Sequence, residues 1–164
     1  MSDQRQFRNA LGQFPTGVAI VTTLAPDGEP IGVTVNSFSS VSLDPAMILW
    51  SLDKRAFSLP AFQAAPRFAV HILGEHQEAL SNRFARASDD KFSQLELCSG
   101  LGGVPLLADC AAVFECTTAH LYDGGDHLII VGRVERFTAE DRQPLLFHRG
   151  RYARLAGDAC LQAA

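Results

Sequence analysis

The chain has 164 residues, 47% of them hydrophobic and 20% charged, a balance that fits one globular domain with a proper core and excludes a disordered or fibrous chain. The 14 Lys and Arg against 18 Asp and Glu give a formal net charge of −4 with no basic block, so nucleic acid and anionic membrane are not expected partners. The polar opening MSDQRQFRNALGQF lacks an apolar core followed by a cleavage site, and no later run reaches membrane-spanning length, so a soluble, cytoplasmic protein is expected.

Phe7, Ala10, Leu11 and Phe14 recur at helical spacing and Pro15 stops the pattern, which predicts a helix over residues 7–14. GVAIVTT (17–23) and IGVTVNS (31–37) flank the turn APDGEP and predict a hairpin. AMILWSL (46–52), after the Asp44-Pro45 turn, reads as a strand buried on both faces. SLPAFQAA predicts a short helix with Ser58 as N-cap, RFAVHIL (67–73) a strand, and EHQEALSNRFA a helix with Ala79, Leu80 and Phe84 toward the sheet. Residues 86–107 read as irregular. AAVFECTTAHLY and HLIIVGRVERF then form a long antiparallel pair around DGGD, and LLFHRGRYARL makes two short strands around Arg149-Gly150.

Mostly hairpin-linked strands with two or three short helices predict a mainly β fold, a closed or nearly closed antiparallel barrel, since closure removes exposed edges. A single domain over 1–164 is expected, with its core at about 10–155 and a loose tail at 156–164. Cys98, Cys110, Cys116 and Cys160 form no Cys-x-x-Cys and read as reduced, Cys110 and Cys116 as small buried residues. No metal site is expected.

The segment GVTVNSFSSVSLDPAMILWSLDK (32–54) threads unusual polarity through sheet. If 32–43 is extended, Val33, Val35, Val41 and Leu43 share a core face, while Thr34, Asn36, Phe38, Ser40 and Ser42 share a hydroxyl- and amide-rich one. The next strand exits through Ser51, Asp53, Lys54 and Arg55. Such a face suits a planar heterocycle with many acceptors and a phosphate tail, the phosphate meeting Lys54 or Arg55. A strand's solvated face carries the same residue types, so composition does not name the ligand. His127 follows the DGGD turn at a strand start, where its side chain reaches over a barrel mouth or caps the turn. His71 reads as a satisfied core residue; His76 and His120 have structural readings too. His148, Arg149 and Arg151 surround one glycine and read as a phosphate site or a solvated turn.

FPTGVAIVTT, GVTVNSFSSVSLDPAMILWSL, FAVHILGEHQEALSNRFA, GGVPLLADCAAVFEC, GGDHLIIVGRV and PLLFHRGRYARL follow in order the pattern of the short-chain flavin reductases, over roughly residues 14–155. The chain thus resembles the reductase components of two-component flavin monooxygenases. The resemblance implies a flavin-binding split barrel and a homodimer. It implies hydride transfer from NADH or NADPH to FMN or FAD, with delivery of reduced flavin to a flavin-dependent monooxygenase. Thr34, Val35, Asn36, Ser37 and Phe38, with Ser40, Val41 and Ser42, resemble the part that holds the flavin ring. Ser51, Leu52, Asp53 and Lys54 resemble the strand end near the ribityl chain and phosphate. Arg83, Phe84, Ala85 and Lys91 lie where the family brings further flavin contacts. Gly125, Asp126 and His127, and Gly150, Arg151 and Tyr152, match motifs that the family places beside the nicotinamide, and His148 and Arg149 just before the second would help bind a pyridine nucleotide's phosphates. Ala46 stands where a second proline is common, and Cys98 near where a Trp is frequent.

The chain lacks a nucleophile elbow, a paired-carboxylate signature, a metal-binding helix motif and a Gly-rich dinucleotide loop, as expected where cofactors carry the chemistry. A non-catalytic flavin carrier on the same barrel is the alternative. A pyridoxamine-phosphate-oxidase-like enzyme would show more arginines near residues 51–55.

Overall fold

The fold is available as a computed structural model that describes residues 3–88 and 90–156; the expected tail beyond Ala156, with Cys160, lies outside them. Helix α1 (Gln4–Leu11) precedes β1 (Thr16–Gly17), β2 (Ala19–Leu24), β3 (Pro30–Val35), β4 (Ser39–Leu43) and β5 (Ala46–Asp53). After α2 (Leu59–Ala64) come β6 (Arg67–Ile72), α3 (Glu78–Ala85), β7 (Leu97–Ser99) and β8 (Pro105–Leu107). The chain closes with β9 (Ala112–Gly124), β10 (His127–Ala139), β11 (Leu146–His148) and β12 (Arg151–Ala153).

Seven strands make the main antiparallel sheet in the order β3-β2-β6-β9-β10-β5-β4. Its two edges are consecutive in the chain, joined only by residues 36–38, so the sheet must curl until they approach. No backbone ladder joins β3 to β4 or β5; the Ser37 hydroxyl bridges the gap instead, accepting from Ser51 N–H and donating to Ser51 C=O at 2.9 Å each. This is a split barrel, and the mainly β expectation holds. Side strands β1, β11 and β12 form a three-stranded sheet, and β7 and β8 a small hairpin inside the segment expected to be irregular.

Alternation along β2 feeds two cores. Ala19 and Val21 join Trp50, Phe68, Val70, Leu128 and Ile130 within the curl, plugged by Phe62 of α2. Val18 and Ile20 face the other way, against Leu73, Phe84, Leu107 and Leu145. Each fully buried aromatic or Leu contributes roughly 1.5–3 kcal/mol of transfer free energy. Trp50 lies edge-on to Phe62, with ring centroids 4.9 Å apart. Cys110 and Cys116 are free and buried, as expected, and burial pushes their thiols up to about 11 and about 12.

Several expectations need correction. The first helix starts earlier than residue 7, because the Asp3 side chain caps it by accepting from Arg5 N–H at 3.0 Å. Ala79 is exposed, whereas Phe84 and Leu80 pack inward. Residues 32–43 are two strands rather than one. β3 keeps the expected faces, with Val33 and Val35 on the barrel core and Thr34 outward. Residues 36–38 break the alternation, so Phe38 turns into the core and stacks on Phe114 at 5.7 Å. A bulge between Ser40 and Ser42 leaves Val41 and Leu43 exposed on the β4 edge. The Asp44-Pro45 peptide in the β4–β5 turn is cis.

Candidate functional site

A cleft opens between the end of β3, helix α3 and strand β12. Its volume is about 180 Å³, and its walls are Val18, Thr34, Val35, Asn36, Ser81, Ala85, Phe147 and Tyr152. Gly32 makes this possible: a Cβ there would lie 2.5 Å from a Phe84 ring carbon, so only glycine lets α3 lie on β3. Phe84 itself is fully buried, edge-on to Phe92, and its side chain serves the core. With α3 seated, Ser81 and Ala85, one turn apart on its face, reach the cleft.

Hydrogen bonds tie the cleft's hydroxyls together. Thr34 Oγ1 donates to the Ser81 carbonyl at 2.7 Å. The Ser81 and Tyr152 hydroxyls meet at 2.8 Å, and Tyr152 donates to Asn82 Oδ1 at 3.2 Å. The Tyr152 ring also packs edge-on to Phe147 at 5.6 Å. Sequence reasoning did not single out Ser81, Asn82, Val18 or Phe147. The signal for Ser81 was its place four residues before Ala85.

Tyr152 also walls a second, larger groove of about 510 Å³, lined by His148, Arg149, Arg151 and Ala153. The β11–β12 turn has positive φ at both Arg149 (50°) and Gly150 (77°), the signature of a type I′ hairpin, and it presents its cations on one side. Arg149 Nε and Nη2 donate to Gln13 Oε1, and Arg149 N–H donates to the Gly12 carbonyl, anchoring the segment after α1 beside the groove.

A third polar region lies where β5 ends and β10 begins, His127 pairing with Asp53 in register. Gly125, with φ of 80°, and Asp126 make the turn into β10. His127 Nδ1 donates to Asp126 Oδ1 at 2.7 Å, which leaves Nε2 free and lowers the Asp126 pKa. Lys54 is paired with Asp123 at 2.6 Å. Hydrogen bonds from the Arg55 side chain and backbone hold the Asp53 carboxyl far below the usual range. Both cations expected to meet a phosphate are therefore already matched by carboxylates. The cations of the β11–β12 groove face no carboxylate partner among the described residues.

The expected site residues thus separate. Thr34, Val35, Asn36, Ala85 and Tyr152 converge on the cleft, with His148, Arg149, Gly150 and Arg151 beside it. Ser37 and Ser51 stitch the split, and Leu52 is core. Ser40, Val41 and Ser42 lie on the opposite edge of the sheet from β3. Arg83 donates to the carbonyls of Asp90 and Ser93, and Lys91 to those of Gly32 and Phe84; burial lowers the Lys91 pKa. These two cations hold the loop after α3 in place. No cluster with metal-ligand geometry occurs among the described residues, and no helix there is long and apolar enough to cross a membrane.

Residues 11–156 match the family model described as "Flavin reductase like domain". The chain is 47% identical over 148 residues to the reductase component of the flavin-dependent trigonelline monooxygenase of Acinetobacter baylyi, covering 90% of this chain but about half (48%) of that protein. It is also 47% identical over 154 residues to the FMN reductase (NADH) SmoA of Agrobacterium fabrum, covering 94% and 87% of the two chains. Among solved structures, the Streptomyces globisporus NADH:FAD oxidoreductase SgcE6, in complex with NAD and FAD fragments, superposes with a TM-score of 0.90 at 42% identity, over 96% of this chain and 95% of that one. With the same barrel, the quoted motifs in order and a family match over nearly the whole length, the chain belongs to the flavin reductase like family.

Proposed function

We propose that this protein is an NAD(P)H:flavin oxidoreductase that reduces FMN or FAD and supplies the reduced flavin to an oxygenase in the cytoplasm. The observation that carries the reading is the meeting of two unlike cavities at one residue. An uncharged cleft rich in hydrogen-bonding groups and a cationic groove share the Tyr152 ring as their wall.

The residues fit those ligands. A cleft of about 180 Å³ is smaller than the roughly 300–1,000 Å³ of a whole-ligand site, so it takes one edge of a flavin ring and leaves the rest over the barrel. Thr34, Asn36 and Tyr152 supply uncharged hydrogen-bonding groups to that edge. Arg149 and Arg151 offer charge-assisted hydrogen bonds to nucleotide phosphates, and His148 lines the same groove. Flavin and dihydronicotinamide supply the hydride chemistry when bound. The protein's part is to stack the two against Tyr152 and to keep water out. The free Nε2 of His127, where β5 ends and β10 begins, offers a further hydrogen-bonding group to the nicotinamide carboxamide or a phosphate. Replacing His127 by Ala is expected to lower kcat/KM for NADH by about 10- to 100-fold, the usual cost of one positioned hydrogen bond to a ligand. Unchanged NADH kinetics in that variant would remove His127 from the site.

A homodimer accords with the exposed apolar side chains. Met47 pairs with both Ser42 and Arg133, so the β4 edge and the end of β10 beyond Arg133 flank the same end of β5. Leu43 and Phe137 there are 96% and 70% exposed, an apolar surface that a second copy would cover. Sedimentation equilibrium that returned the mass of a monomer would contradict the dimer. An oxygenase partner is proposed from the relative that is the reductase component of a trigonelline monooxygenase, about half of whose length this chain spans.

A further inference from the structure

The hydroxyl network fixes the polarity of the cleft. Tyr152 has one proton, and it goes to Asn82 Oδ1, an oxygen that only accepts. The bond between Ser81 and Tyr152 must then be donated by Ser81, which commits the Ser81 proton as well. The Thr34 proton goes to the Ser81 carbonyl. Ser81 is fully buried, so the hydroxyls left facing the cleft are Thr34 and Tyr152, each with lone pairs and no proton to offer. Asn36, on the same wall, carries an NH₂ that can donate.

We propose that this acceptor-only pair reads a ring N–H flanked by carbonyls, the imide N3–H edge of the flavin, and that Asn82 is the positioning residue that sets this polarity. The inference rests on the flavin-binding reading above. The imide matches the wall group for group: its N–H meets Thr34 or Tyr152, and a flanking carbonyl meets the Asn36 amide. Asn82 lies outside the cleft lining and acts only through the proton it takes from Tyr152. Without that acceptor the Tyr152 proton is free to turn toward the cleft, opposing a ligand N–H.

The test compares binding of FMN and N3-methyl-FMN, followed by quenching of flavin fluorescence, for the full chain and two variants. The native protein is expected to bind FMN about 10-fold more tightly than the methylated analogue, as for the loss of one buried hydrogen bond. Asn82→Leu is expected to weaken FMN by about the same factor while leaving N3-methyl-FMN unchanged, so the preference disappears. Asn82→Asp keeps the accepting oxygen and is expected to restore the preference. A preference that survives in Asn82→Leu would show that the methyl group is rejected by size alone and would overturn the inference. Equal binding of both flavins by the native protein would overturn it too. Failure of the native protein to bind FMN at all would instead overturn the flavin-binding reading beneath it.

Discussion

His71→Phe is expected to cost about 2–5 kcal/mol of folding stability, measured by urea unfolding, the sum of two buried backbone groups left without partners. His71 is wholly buried on β6 between the two parts of the structure it joins. Its Nδ1 meets the Ile20 carbonyl at 3.0 Å and its Nε2 accepts from Leu107 N–H at 3.1 Å. The carbonyl requires a proton on Nδ1 and the N–H requires a lone pair on Nε2, so the ring is the neutral Nδ1-H tautomer. Phenylalanine fills the space but serves neither group. The same geometry sets a pH dependence. Burial, partly offset by the hydrogen bond to Ile20, lowers the folded-state pKa of His71 to about 4 from the ordinary 6.5 of a histidine. Because the unfolded chain takes up the proton first, the His71 contribution is intact above about pH 6.5. It falls as pH drops toward 4, by about 3 kcal/mol in all. The variant should lack that part of the acid slope. A His71→Phe protein within 1 kcal/mol of the native stability would contradict this account.

Gly32→Val is expected to damage stability and flavin binding together. The first atom of any added side chain would lie 2.5 and 2.6 Å from Phe84 ring carbons and 3.0 Å from Phe92. Phe84 is fully buried and held edge-on by Phe92, so its ring has no room to give way. Relief requires α3 to lift from β3, at a cost of roughly 1–3 kcal/mol or more for overpacking. Lifting α3 separates the Ser81 carbonyl from Thr34 and the Ser81 and Asn82 side chains from Tyr152, so the cleft loses its wall. Thermal unfolding and FMN titration on one preparation check both effects. A variant that loses stability yet binds FMN normally would show that the cleft does not depend on how α3 is seated.

What could be read from the sequence followed from local pattern. The β-branched runs around APDGEP and the long runs around DGGD became β2–β3 and β9–β10, and the outward place of Thr34 followed from alternation alone. Alternation failed at residues 36–38, where the chain crosses the barrel split, a feature set by closure of a seven-stranded sheet. It therefore misplaced Phe38, Val41 and Leu43. Arg83, Phe84 and Lys91 lie where the resemblance implied flavin contacts, and their side chains secure α3 and its following loop. Ser81 and Asn82, ordinary polar residues on a short helix, gain their place only because Gly32 is bare and Tyr152 arrives from the distant end of the chain. No local signal announces a contact between residues 81 and 152.

The central claim is that one protein places a flavin and a dihydronicotinamide against each other. Anaerobic stopped-flow mixing of the protein and FMN with NADH tests it most directly, by following loss of the visible absorption of oxidised flavin. The account predicts rapid bleaching that depends on the protein and saturates with NADH, one flavin reduced for each NADH oxidised. Tight FMN binding with no bleaching beyond the rate of free flavin would contradict it and leave a flavin carrier in place of a reductase.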